Sequence, residues 1–468
     1  MKRLRVLAAV LVGACVLVGC QRDDLPTVDR PQSPVVLTGA QLPSLQGAPL
    51  NRVVAFRFVY GKWQQVPVQV DERAVLDLSK PKNGTPTGKT ALFYTDANTF
   101  TGADPDPSFD ANDELVFMVK DAFGKARSID DDEHNVHYTL GNPPNVVPGS
   151  GVELRLDDPL GDDAQSWIYL FRSDGTLHPA AGQARVQYTF NLLSGDYKTT
   201  YNIASGPNPE NSRVTTANYT ARVPDRWVED ELKVLAGNAT ETDILDRHSG
   251  GFAGSCGRSE DTFKVGGGAI IANKVGPVRA IRSYLGANSG TYTQRDHLLY
   301  ENSSDTVTYL RVHAIPPLRG FYDYSPAASG MTFSASNVAG VPVDGVPDTV
   351  PTASAAWRMV TGEQGTLVHT AISQTNIADL ATNTRQYYED DSTPPVAPCT
   401  GDATLYGANG SEIAMDIPCT DPTQNCTNFL VTTERVMYLP PAGTASQASK
   451  IAQQTATPLA VSTSTFAP

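Results

Sequence analysis

WQQVPVQVDER (63–73) and FDANDELVFMVKD (109–121) bracket the stretch that decides the fold. In the first segment Val66, Val68 and Val70 alternate with Gln65, Gln69 and Asp71. In the second, Leu115, Phe117 and Val119 fall on one side. A period of two is that of a half-buried strand, because successive side chains point to opposite faces. Asp96, Asp104 and Asp106 between the segments, with Asp110, Asn112, Asp113 and Glu114 at the start of the second, make up an acidic loop. The unit reads as strand, long acidic loop, strand.

The same reading extends outward. NRVVAFRFVY (51–60), WIYLFR (167–172), GPVRAIRSYL (276–285) and 306–315 are rich in β-branched and aromatic residues, and helical periodicity is nearly absent. DRWVEDELKV (225–234) reads as a short helix or equally as a sandwich strand, and 320–351 as mainly loop. The expected fold is all-β: an antiparallel β-sandwich or supersandwich, with a smaller N-terminal β domain. NPPNVVPGS (142–150) carries three prolines and a Gly-Ser end, which marks a boundary. The expected organisation is a leader over 1–19, a tether over 20–34, an N-terminal β domain over 35–141, a linker over 142–150, a C-terminal sandwich over 151–439 and a flexible tail over 440–468, where Pro, Ala, Ser, Thr and Gln dominate.

At the N-terminus Lys2, Arg3 and Arg5 precede an apolar run, Leu7 to Leu17, that is too short for a stable bilayer span. The run ends in Leu17-Val18-Gly19-Cys20, which resembles a bacterial lipobox. That resemblance implies cleavage before Cys20, acylation of its thiol and anchoring of the chain to a membrane. Gln21, rather than Asp, at the second mature position implies sorting to an outer membrane of the cell envelope. Removing residues 1–19 takes three positive charges and no acids, leaving 33 Lys+Arg against 50 Asp+Glu, a net −17. Such a balance disfavours nucleic acid, whose binding draws on phosphate neutralisation. Four mature cysteines remain besides Cys20, and an oxidising compartment makes them two disulfides with three connectivities. A local Cys419–Cys426 bridge is the simplest, which then leaves Cys256 to Cys399.

Two clusters carry candidate chemistry. Asp104, Asp106, Asp110, Asn112 and Glu114 offer alternating hard oxygens of the kind calcium takes, without EF-hand spacing; the alternative is a set of solvated turn caps. In 307–315 alternation sets Tyr309, Arg311 and His313 on one face and Leu310, Val312 and Ala314 on the other. Arg295, His297 and Glu301 share a face of the preceding segment, and Arg279 and Arg282 lie upstream on opposite faces. Arg279 or Arg311 would neutralise a ligand carboxylate, and His297, His313 or Tyr309 would move a proton. Tyr292, Tyr300, Phe321, Tyr322 and Tyr324 would stack on sugar faces. The alternative is an outer sheet face laced with cross-strand pairs. His134 and His137 stand three apart beside Asp130–Glu133, in sequence that reads as a solvated turn. No G-x-S-x-G, H-E-x-x-H or Walker A run occurs; DRHSGG (246–251) has Arg247 where a nucleophile elbow needs Gly.

The segments VPVQVDER (66–73), DANDELVFMVKD (110–121) and GPVRAIRS (276–283) together resemble exported bacterial proteins of the galactose-mutarotase-like supersandwich type. These include carbohydrate-associated proteins and relatives of polysaccharide lyases. The resemblance implies large facing antiparallel sheets with a sugar-binding concave face, and it carries over no catalytic residue. The expected function is a non-catalytic binding or scaffold role at the envelope, for a polysaccharide or an envelope protein. The alternative is a lyase-like enzyme on acidic polysaccharide.

Overall fold

The computed structural model describes residues 27–77, 88, 90–131, 136–161, 164–193, 210–225, 228–252, 269–285, 293–311, 316–395, 402–419 and 429–468. The chain is all-β and its named sheets are antiparallel throughout. The leader, Cys20, His134, Cys256, Tyr292, His313, Cys399 and Cys426 lie outside the described residues. Cys419 is disulfide-bonded.

The N-terminal sandwich pairs a three-stranded sheet with a five-stranded one. The first runs Pro34–Thr38, Glu114–Met118, Gln69–Asp71; the second runs Ala460–Thr465, Val152–Asp157, Gln165–Arg172, Val53–Val59, Lys62–Val66. Leu37, Leu115 and Phe117 from one sheet meet Val53, Ala55, Leu154, Ile168 and Leu170 from the other, all buried. The outer face of the five-stranded sheet carries a second core. There Trp63 meets Tyr169, Phe171 and Phe466 edge to face at centroid distances of 5.0, 6.1 and 5.5 Å.

The sequence boundary at 142–150 therefore divides this sandwich. The strands that follow it are central to the five-stranded sheet, because Leu154, Leu156, Ile168 and Leu170 supply the apolar alternation that completes its core. The 440–468 stretch is not a free arm. Ala445–Ala456 is a helix opened by a Thr444–Gln447 capping box, and Ala448, Ile451 and Ala452 pack beside Trp357 and Met437. Residues 460–465 then pair with 152–157, and Phe466 is buried. Arg30, 3% exposed, closes the unit by pairing with Asp158 and donating to the carbonyls of Gln454 and Thr457. The acidic loop also holds a strand pair, Arg73–Asp77 with Thr90–Tyr94.

The larger unit is two facing layers. One is a nine-stranded sheet in the order 269–275, 279–285, 293–300, 303–311, 429–439, 365–375, 358–362, 332–335, 338–342. The other combines two four-stranded sheets, 186–189, 212–216, 219–223, 231–234 and 245–252, 318–324, 405–413, 384–391. Reciprocal backbone bonds between Glu229 and His248, 3.1 and 2.9 Å, join the two. The 231–234 segment is thus a strand, with Leu232 and Val234 turned in, and 320–351 contains strands 332–335 and 338–342. Leu232, Val234, Tyr322 and Tyr324 pack on Ala280, Phe333, Val360, Leu367 and Val436 between the layers.

The three segments of the supersandwich resemblance converge where the two units meet. Gln69 Oε1 accepts from the backbone N–H of Val278 and Arg279 at 3.1 and 3.0 Å. The Arg279 guanidinium, fully buried, donates to Asp71 at 2.9 Å and to Glu114 at 2.6 Å. Arg73 and Tyr94 also donate to Glu114, at 2.6 and 2.7 Å. Gly276 is required here, since a Cβ would stand 2.2 Å from the Gln69 amide. Burial of two carboxylates against one guanidinium works only with these extra bonds, because desolvation of each ion is costly. Arg279 therefore neutralises the chain's own carboxylates.

Candidate functional site

A cleft of about 190 Å³ opens between the nine-stranded sheet and the 245–252/318–324/405–413 strands. It arises from register. In the nine-stranded sheet Arg295, Thr308, Thr432 and Ser373 are successive cross-strand partners, a straight row over four strands. Across the gap Gly250, Gly320 and Ser411 form the facing row. Its two neighbouring glycines leave two of the three positions without side chains, and a Cβ built on Gly320 meets nothing within 4 Å. One layer thus presents hydroxyls and a guanidinium where the other has withdrawn.

One end of the cleft is apolar, with Leu310, Leu318, Leu380, Ile413 and Leu430. The other end is charged. His248 Nδ1 lies 2.9 Å from Glu229 Oε2, both groups nearly buried, and its ring stacks on Tyr322 at 3.8 Å. Burial raises the Glu229 carboxyl, but hydrogen bonding to His248 and the charges around it prevail and hold it below the usual range. Glu434 accepts from Arg358 at 2.9 Å, and Arg358 also donates to Ser411 at 2.9 Å. His369 Nδ1 stands 3.9 Å from Glu434, beyond hydrogen-bond reach, and has no hydrogen-bond partner among the described residues although the residue is 1% exposed. Burial and the Arg358 charge keep His369 neutral. Arg358 Nε also lacks a partner. Orphaned buried polar atoms are rare in folded chains, and they gather here behind the cleft.

The sequence candidates are dispersed by the fold. Tyr309 pairs across strands with Gln294 and Val431, on the face opposite Arg295, Thr308 and Thr432. The side chain of Arg311 is outside the described residues, as is His313. His297 is buried, 3.0 Å from the Tyr284 hydroxyl, and burial lowers its pKa to about 3. Arg279 is in the buried junction, and Arg282 is paired with Glu210 at 2.7 Å. Tyr300, Tyr322 and Tyr324 are core residues rather than exposed platforms. Phe321 meets Tyr387 edge to face at 5.8 Å. Among the described residues of that Arg/His/Tyr group, Arg295 alone lines the cleft. The residues not singled out from sequence were Gly250, Gly320, Ser373, Thr432, Glu434 and the Glu229–His248 pair. Ser373 and Thr432 carry a signal, as hydroxyls within the strands 365–375 and 429–439; the glycines and the charged groups carry none.

The acidic loop is held by local bonds. Asp104 and Asp106 each accept from the backbone two residues on, at 2.9 and 3.1 Å, and Asp110 from Asn112 at 2.8 Å. Burial pushes Asp113 up to about 6 while it accepts from the Arg73 and Asp110 backbone. Glu114 is committed to Arg73, Arg279 and Tyr94. Among the described residues no three His, Cys, Asp or Glu side chains gather as a metal-binding group. His137 pairs with Asp130 at 2.6 Å on the surface. Among the same residues no helix is long and apolar enough to cross a membrane.

No protein-family profile and no curated protein matches the sequence. Among solved structures there is a likeness to a protein from Escherichia coli K12 provisionally named as an aldose 1-epimerase: 11% identity, 54% of this chain and 100% of that chain covered, TM-score 0.26. The fold assignment above follows from strand order alone.

Proposed function

We propose that the chain is an envelope-anchored lipoprotein whose interlayer cleft holds a single sugar ring or the end of a polysaccharide chain, without turning it over. The observation that carries this reading is the Arg295–Thr308–Thr432–Ser373 row facing two glycines. A sugar ring offers hydroxyls that both donate and accept, and threonine and serine hydroxyls answer both. The apolar end suits the C–H face of a ring. The volume, about 190 Å³, falls below the ~300–1,000 Å³ of drug-sized sites, which favours one ring over a run of them. Cys20 supplies the anchor, and a Cys20→Ala chain is expected to leave the membrane fraction.

The test is a glycan-array screen of the chain from Gln21, beside Ser373→Trp, whose indole would fill the cleft. Retention of particular glycans by the wild type and their loss in the variant supports the reading. Equal retention by both contradicts it. Running the screen with calcium and then chelator also tests the acidic loop, where chelator-sensitive retention would assign it a cation.

A second reading is favoured by one observation: His248, itself paired with Glu229, and Glu434 line the same cleft. A proton-transferring pair flanking a sugar is what an enzyme on acidic polysaccharide needs. New absorbance from an unsaturated uronate product, absent in His248→Ala, would replace the binding role with catalysis.

A further inference from the structure

We propose a second saccharide site, for a neutral oligosaccharide, in a groove on the outer face of the 186–189/212–216 strands where the two units meet. The groove measures about 510 Å³ and shares no residue with the cleft. That volume lies inside the ~300–1,000 Å³ range in which whole ligands are held.

Arg185 is its buried cation. Its side chain is 7% exposed and its Nη2 donates to Asp121 at 2.5 Å, yet its Nη1 is buried and has no hydrogen-bond partner among the described residues. A buried guanidinium N–H without an acceptor keeps its desolvation penalty uncompensated. A ligand oxygen in the groove removes that cost. Gln187 and Thr215, opposite one another across the strands, add an amide and a hydroxyl beside it, and the exposed Ala217 leaves the mouth open.

The charges choose the ligand class. Arg185 is matched by Asp121, and Lys120 by Glu301. The groove therefore holds both signs in paired form, and among the described residues it has no surplus cation to hold an anion. What remains are donors and acceptors in mixed array, the complement of a neutral polyol. The ligand class is shared with the reading of the cleft, but the residues are separate, so either site can fail alone.

The test titrates cellotriose, maltotriose and chitotriose into the Ser373→Trp chain, in which the cleft is filled. Binding of at least one is expected. Adding Ala217→Trp, a surface change that blocks the mouth, or Gln187→Ala should weaken it about tenfold, the equivalent of one or two lost hydrogen bonds. Binding unchanged by both overturns the proposal. So does loss of all trisaccharide binding in Ser373→Trp while the wild type still binds sugar, which leaves the cleft reading intact. A preference for trigalacturonate over the neutral trisaccharides would overturn the neutral class. Silence of the wild type toward every sugar overturns both sites.

Discussion

His297 shows what the fold does to a titratable residue that sequence marks as functional. Its ring is buried between Tyr284 and the neighbouring strand, and burial lowers its pKa from 6.5 to about 3. The unfolded chain takes up a proton as pH falls below 6.5, and the folded chain does not. Stability present above 6.5 is therefore lost as pH falls toward 3. From pH 7 to about 4.5 this one residue should cost roughly 2–3 kcal/mol. Denaturant titrations at both pH values, compared with His297→Gln, check it: the variant should show a shallower loss. Alternation correctly separated Tyr309 from Leu310, because the period of two is a backbone property. Which of the two faces looks into the gap depends on the partner layer, and nothing local records that. Gly250 and Gly320 were illegible for the same reason: two glycines 70 residues apart matter only once 245–252 and 318–324 are neighbours.

At the scale of elements, strands were legible and their membership was not. Residues 167–172 read as a strand from their β-branched and aromatic content, yet the strands 152–157 and 165–172 belong to the sheet of 53–59, on the far side of a proline-rich stretch. Proline marks a loop; it does not say which core the next strand completes. The last strand, 460–465, carries Ser and Thr on an edge and so lacked an apolar signature. Phe466 is its anchor among Trp63, Tyr169 and Phe171. Phe466→Ala is expected to cost ~3–5 kcal/mol, read as a fall in denaturation midpoint; a chain of wild-type stability would show the strand to be dispensable. Arg279→Ala should cost a similar ~3–5 kcal/mol by leaving Asp71 and Glu114 buried without their cation. If Arg279 instead served a ligand, its replacement would change binding and leave the midpoint alone.

Across the whole molecule, one junction orders the rest. The quoted stretch 63–73 and 109–121 builds the N-terminal sandwich with its valines, leucine and phenylalanine, and clasps the nine-stranded sheet with Gln69, Asp71 and Glu114. Its polar face looked solvated because alternation cannot distinguish water from a buried arginine. The same fold brings a hydroxyl row and a glycine row face to face, and that pairing is the functional claim. It is tested most directly by calorimetric titration of glucose, galactose, N-acetylglucosamine and glucuronate into the wild-type chain and into Gly320→Leu, whose side chain would enter the cleft from a backbone position with room for it. Binding of at least one sugar by the wild type, lost in Gly320→Leu at unchanged stability, is the predicted result. Sugar binding that survives Gly320→Leu, or none in the wild type, would contradict it.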